Sequence, residues 1–137
     1  MKEEDRDREA LVGYRLQRAR EALGDAHLLY DRKGSLWSVI NRAYYAMFYA
    51  VLALLTSVGK GTSKHSGVLT LFDEHFIKPG HLPKEMSKAI HKGFDLRQIG
   101  DYRELATLDK EHVTEILTLA DEFVEKVIQY FQGGGSC

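Results

Sequence analysis

The most constraining feature of this sequence is an uncharged run of thirteen residues, AYYAMFYAVLALL, at positions 43–55. It is shorter than the roughly 17–25 apolar residues that a transmembrane helix needs, and it contains three tyrosines. The run predicts a helix over about residues 36–58, with Ser35 as its N-cap and apolar residues on every side. Such a helix belongs at the centre of a bundle, and no membrane segment is predicted.

Four further helices are predicted from apolar residues spaced three and four positions apart. They begin and end at about residues 12–30, 64–76, 83 to between 100 and 104, and 109–131, and the second of these is short. Pro83 suits the first turn of its helix, because that turn does not need the missing N–H. No sustained alternation of period two competes with this pattern. The predicted fold is all-α: an antiparallel helical bundle of four long helices plus one short helix.

Length and charge limit how the chain is organised and what it binds. A chain of 137 residues fits a single domain, predicted over residues 1–132. The tail GGGSC at 133–137 is flexible in composition and resembles a cloning remnant. Nineteen Lys and Arg nearly cancel twenty Asp and Glu, and a net charge of −1 provides no global field that attracts nucleic acid or anionic lipid. Any such binding must therefore be local.

Two features favour a cytoplasmic location. Cys137 is the sole cysteine, so the chain has neither an internal disulfide nor a cysteine zinc cluster. Its first ten residues, MKEEDRDREA, are charged and lack the apolar region of a secretory signal.

Several common chemistries lack their motifs. A di-iron bundle needs repeated Glu-x-x-His pairs, whereas the chain has one Asp-x-x-His, Asp109 to His112, at a helix start where acidic caps are expected. Neither Gly-x-x-x-x-Gly-Lys-Ser/Thr nor Gly-x-Gly-x-x-Gly occurs. We therefore predict no metal and no cofactor.

Some polar residues stand where the helical pattern predicts core. Arg97 comes three residues after Phe94, and Asp101 four after Arg97, on one stripe of the fourth helix. On the second helix Arg42 precedes Tyr45 by three positions. One interpretation is structural, with Arg97 paired to Asp101, because a buried charge needs a partner. The other is that these groups bind a phosphate.

A second patch, Ser63-Lys64-His65-Ser66, lies at the start of the short helix. Free N–H groups there favour an anion. The alternative is a solvated cap with a surface histidine. Together with Arg42 and Arg97, Lys64 and His65 would supply charge and a stacking ring for a phosphate or nucleotide, provided that the fold brings them together.

Three separated segments, NRAYYAMFYAVLALL, SKHSGVLTLFDEHF and FDLRQIGDYRE, resemble HEPN-domain proteins in order and spacing. The resemblance covers roughly residues 12–131 and is to the small stand-alone prokaryotic group (UPF0332-like) associated with minimal nucleotidyltransferases. It implies an all-α bundle and commonly a homodimer.

Many HEPN proteins are metal-independent RNA endonucleases with an arginine followed, after four to six residues, by a histidine. Arg97 matches that arginine, but Tyr102 follows after four intervening residues, and the next histidine is His112. A phenol with a pKa near ~10 does not ordinarily exchange a proton at neutral pH. We therefore expect binding of a nucleotide or RNA phosphate through Arg97, Asp101 and Tyr102, with Arg42, Tyr45 and His65, rather than cleavage.

Two alternatives follow from the same resemblance. One is a toxin ribonuclease whose catalytic group has moved to Tyr102 or His65. The other is a purely structural dimeric partner of a nucleotidyltransferase. In a toxin-antitoxin-like pair, the nucleotidyltransferase would modify a tyrosine beside the motif, and Tyr102 is the tyrosine at that position.

Overall fold

The computed structural model describes residues 2–100 and 108–133 of the protein. Five α-helices follow one another: α1 Glu3–Asp31, α2 Leu36–Ser57, α3 His65–Phe72, α4 Lys84–Gly100 and α5 Lys110–Gln132. A single π-helical turn, Asp73–Ile77, extends α3. No strand occurs among the described residues. The all-α prediction of four long helices and one short helix is confirmed.

Helix α2 is the centre of the bundle and contacts the other four helices. Its start is capped as predicted, because the Ser35 hydroxyl accepts a hydrogen bond from the Ser38 N–H. Each large apolar side chain that it buries contributes about 1.5–3 kcal/mol relative to exposure. The largest fully buried side chains of the described core include Tyr44, Phe72, Phe76, Phe123, Ile40, Met47 and Leu54.

Polar contacts show how the helices run relative to one another. Arg18 of α1 bonds to Tyr49 of α2 across the short connection between these helices, so α1 and α2 are antiparallel. Helices α1 and α5 are also antiparallel, because His27 bonds to Asp121 whereas the later Tyr30 bonds to the earlier Thr114. Helix α5 begins at Asp109, whose carboxylate accepts from the His112 N–H as its N-cap.

Helix α1 begins nine residues earlier than the predicted residue 12, so the sequence-based boundary is wrong at this end. Its first turn carries Glu3, Glu4 and Asp5, whose negative charges favour the positive end of the helix dipole. Residues 2–11 are exposed. No apolar face marks these turns, and apolar periodicity therefore does not detect them.

Helix α2 is the one helix among the described residues that is long and apolar enough to cross a membrane by length and composition. However, 67% of its most apolar window is buried within the bundle. This burial is that of the core helix of a soluble protein, as the thirteen-residue run predicted.

Candidate functional site

Two arginines from different helices lie over the same tyrosine ring. The Arg42 guanidinium of α2 is 5.3 Å from the centre of the Tyr45 ring, and the Arg97 guanidinium of α4 is 5.4 Å from it. Arg97 is also 5.7 Å from the centre of the Tyr44 ring. Cation–π attraction holds each guanidinium near a ring face without neutralising its charge. The arrangement concentrates positive charge at one place on a protein with a net charge of −1.

A local contact orients Arg42. Its Nε and Nη2 both donate to the Asn41 side-chain oxygen, at 3.1 and 2.9 Å. Arg42 and Tyr45 are three positions apart and therefore share a face of α2. The Nη1 group lies outside the contact with Asn41 and remains a donor for a ligand.

A close approach of α4 to α2 positions Arg97. A Cβ atom at Gly93 would lie 3.0 Å from Met47 Cε and 3.4 Å from Tyr44 Cδ1, so a side chain there would require these neighbours to shift. Gly93 stands one helical turn before Arg97. The close contact at Gly93 brings this part of α4 against α2, where Arg97 meets both tyrosine rings.

His65, the first residue of α3, completes the cluster. Its ring stacks on Phe48 with centroids 4.3 Å apart and planes 12° apart, and it meets the Tyr45 ring edge-on at 5.8 Å. The Tyr44 hydroxyl lies 3.3 Å from His65 Nδ1. We call Arg42, Tyr44, Tyr45, His65 and Arg97 the arginine–tyrosine cluster.

Burial and the Arg97 charge determine the protonation states of Tyr44 and His65. Burial raises the pKa of the Tyr44 hydroxyl above its usual value, which keeps the phenol neutral. Burial also lowers the pKa of His65 below its usual 6.5, and the nearby Arg97 charge lowers it further. A neutral phenol and a neutral imidazole therefore share the hydrogen bond between the Tyr44 oxygen and His65 Nδ1.

Removing the Arg97 charge should raise the pKa of His65. In Arg97→Met that pKa will rise towards its usual value without reaching it, because burial, the larger cause, remains. The folded pKa of His65 lies below the unfolded value of about 6.5. The contribution of His65 to the free energy of unfolding is therefore fully present above its unfolded-state pKa. It is lost as the pH falls through the pKa of the folded state. NMR titration of the imidazole C–H signals measures the shift.

Arg20→Met is the matched control for this titration. Arg20 is an exposed arginine of α1 outside the arginine–tyrosine cluster. Its loss should leave the His65 titration unchanged. An unchanged His65 pKa in Arg97→Met would show that the Arg97 charge does not act on the imidazole.

Four of the residues predicted from sequence come together: Arg42, Tyr45, His65 and Arg97 share one cluster. Lys64 does not join them. It is exposed and lines a separate groove that also carries Glu74, so its role as a ligand residue stays a prediction. Asp101 and Tyr102 lie outside the described residues.

Sequence reasoning missed a third arginine beside the cluster. The Arg18 guanidinium lies 4.9 Å from the centre of the Tyr49 ring and donates to the hydroxyls of Tyr49 and Tyr14, each at 3.1 Å. The Tyr49 ring packs against Tyr45 at 5.8 Å. The spacing of four between Tyr14 and Arg18 was a detectable signal. The contact with Tyr49 was not, because it depends on how α1 pairs with α2.

The part of the chain that the structure describes contains no set of metal ligands. No group of three or more His, Cys, Asp or Glu side chains there could hold a metal ion. Asp109 and His112 are explained by the α5 N-cap. The available chemistry is that of guanidinium, phenol and imidazole groups.

Fold and site together define an all-α bundle in which aromatic rings of the central helix lie beneath arginines of α1, α2 and α4. A sequence model of the HEPN domain matches residues 12–130. The chain belongs to the HEPN family, as the resemblance of its three segments predicted.

Individual relatives support this assignment over most of the chain. A UPF0332 protein from Thermotoga maritima is 42% identical over 126 residues, which cover 90% of this chain and 95% of that protein. A protein of Methanocaldococcus jannaschii named a putative toxin is 33% identical over 115 residues, covering 84% of this chain and 78% of the relative. A second toxin so named in that organism is 32% identical over 112 residues, with 80% of each chain covered.

Proposed function

We propose that the protein is a HEPN-type binding module for the phosphate of a nucleotide or RNA. One observation carries the proposal: the guanidinium groups of Arg42 and Arg97 converge on Tyr45 from two helices. Within residues 2–100 and 108–133, neither arginine forms a salt bridge with a carboxylate.

The chemistry of the arginine–tyrosine cluster fits a phosphate. Two cations near one ring repel each other, and an anion bound by both offsets that repulsion. Each guanidinium can offer two parallel N–H groups to phosphate oxygens. The partly exposed rings of Tyr45 and His65 lie beside the guanidinium groups and offer aromatic contacts to a base. A nucleotide, which carries both a phosphate and a base, therefore matches the cluster better than an isolated phosphate ion.

Direct binding tests the proposal. Fluorescence anisotropy of a 5′-labelled single-stranded hexa-adenylate should show saturable binding, and unlabelled AMP should compete with it. Because the contact is electrostatic, affinity should fall as salt rises, with a slope of about −0.7 per phosphate contacted. Absence of binding by both probes at low salt would overturn the proposal.

The physiological setting proposed here is a toxin-antitoxin-like pair with a minimal nucleotidyltransferase in the cytoplasm. The resemblance to the nucleotidyltransferase-associated group and the names of the two Methanocaldococcus relatives support this setting. The partner enzyme would modify Tyr102, which follows the motif arginine Arg97 after four intervening residues.

We expect the protein to form a homodimer with an apolar interface. Sedimentation or light scattering at tens of micromolar should give twice the 15.6 kDa mass of the chain. A monomer at that concentration would contradict this expectation. Five large apolar side chains of the described residues are 39–57% exposed and available for such an interface: Leu11, Tyr14, Leu28, Val58 and Ile99.

A second candidate function is RNA cleavage with His65 as the general base. The observation in its favour is that the His65 imidazole stays neutral beside Arg97, as a base must. Nevertheless we expect cleavage to be absent or weak, because Tyr102 stands where the signature has histidine.

The unaltered protein should leave a mixed RNA substrate intact in metal-free buffer at neutral pH, and Tyr102→His should restore some cleavage. Strong cutting that is lost in Arg97→Ala and Tyr102→Phe would instead establish a ribonuclease. Cutting that survives Tyr102→Phe and is lost in His65→Asn would identify His65 as the base.

A further inference from the structure

A groove of 480 Å³ lies on the other side of His65, between α1, the second half of α2 and the loop that follows α2. Leu11, Leu52 and Val68 give it apolar walls, and the loop residues 59–63 form one edge. Its size is that of a small-molecule site, since ligand pockets are typically about 300–1,000 Å³. A single nucleotide fits this volume and a nucleic-acid duplex does not.

The groove carries positive charge without any acid. Arg15 and Lys60 line it, and none of its lining residues is Asp or Glu. Arg8 adds a third cation, because its Nη2 atom lies 3.2 Å from the position that a Cβ at Gly59 would occupy. The chain as a whole has one more acidic than basic residue, so this local excess of cations marks a surface that attracts anions.

The neighbouring groove offers a comparison. It is similar in size, at 430 Å³, and lies against α3. Its lining includes Lys64 and Glu74, whose charges cancel. The excess of positive charge is therefore a property of the first groove rather than of this end of the bundle.

The groove adjoins the arginine–tyrosine cluster. Phe48 and His65 line the groove, and the same His65 ring contacts Tyr44 and Tyr45. The stacked Phe48 and His65 rings thus form a wall shared by the groove and the cluster. The cluster and the groove are therefore adjacent sites that share these two rings.

We propose that the groove is a second nucleotide site, which holds the neighbouring residue of a single-stranded RNA whose phosphate lies at Arg42 and Arg97. The base packs against Phe48, Leu52 and Leu11, and the adjoining phosphate lies near Arg15 and Lys60. This inference rests on the proposed function. It adds that the ligand is an oligonucleotide rather than a mononucleotide.

The test compares two ligands and three matched charge reversals. AMP and 5′-labelled single-stranded hexa-adenylate are titrated into the wild-type protein, Lys60→Glu, Arg15→Glu and the control Arg20→Glu. Arg20 lies on α1 like Arg15, is exposed and does not line the groove. Lys60 is in an exposed loop, so its variant should fold even if Arg15→Glu does not.

Lys60→Glu and Arg15→Glu should weaken hexa-adenylate binding about tenfold more than Arg20→Glu does, and reduce the salt slope by about 0.7. Their affinity for AMP should match that of the control. Wild-type protein should also bind the hexamer more tightly than AMP.

Equal binding of AMP and hexamer, or equal loss in all three reversals, would overturn the second site while leaving the proposed function intact. Absence of any binding by the wild-type protein would overturn both. Loss of self-association in Lys60→Glu with unchanged hexamer affinity would show that a second copy of the chain, rather than RNA, occupies the groove.

Discussion

Replacing Arg97 with methionine should weaken binding of AMP and of hexa-adenylate by about 10- to 100-fold. A hydrogen bond to a charged group contributes about 1.5–3 kcal/mol, and each 1.4 kcal/mol is a factor of ten in affinity. Methionine approximates the length of the arginine stem without its charge. The affinity of Arg97→Lys should lie between those of the wild-type protein and Arg97→Met, because lysine keeps the charge but loses the two-pronged donor geometry. Isothermal titration calorimetry measures both variants.

The fold should survive these substitutions. Arg97 is only half-buried, and within the described residues no salt bridge depends on it. Arg20→Met, which removes a charge outside the cluster, should bind within about twofold of wild type because its distant charge is screened. Unfolding of Arg97→Lys, with no ligand detected for the wild-type protein, would instead support the structural interpretation in which Arg97 pairs with Asp101.

Truncation of Tyr44 to alanine should destabilise the protein by about 3–5 kcal/mol, the cost of removing a large aromatic side chain from a packed core. The Tyr44 side chain is fully buried and packs against Tyr45, Phe48, His65 and Phe94. For a domain of this size the melting temperature should fall by about 10–25 °C. Differential scanning calorimetry and urea unfolding measure the loss.

Tyr44→Phe separates the ring from the hydroxyl. It keeps the packing and removes the hydrogen bond to His65 Nδ1, so the free energy of unfolding should fall by about 1 kcal/mol. The His65 titration should nevertheless change, because Nδ1 loses its hydrogen-bond partner. Equal destabilisation by Tyr44→Phe and Tyr44→Ala would show that the hydroxyl, rather than the ring, stabilises this part of the core.

The sequence alone determined the fold class and most of the helices. Apolar spacing of three and four residues is a local signal, and the uncharged run at 43–55 required a buried helix whatever its neighbours were. The Ser35 and Asp109 caps were equally readable, since a cap bonds to a backbone group three residues along the same chain. The start of α1 could not be predicted from the sequence, because its exposed turns carry no apolar pattern.

Only the tertiary structure decided which polar residues meet. Arg42 and Arg97 are 55 positions apart in sequence, and their convergence on Tyr45 depends on the packing of α4 against α2 that Gly93 permits. Periodicity within each helix does not specify the rotation or offset of one helix against another. Those are set by side-chain packing across the core, which also placed Lys64 in a different groove from His65 and brought Arg18 to Tyr49.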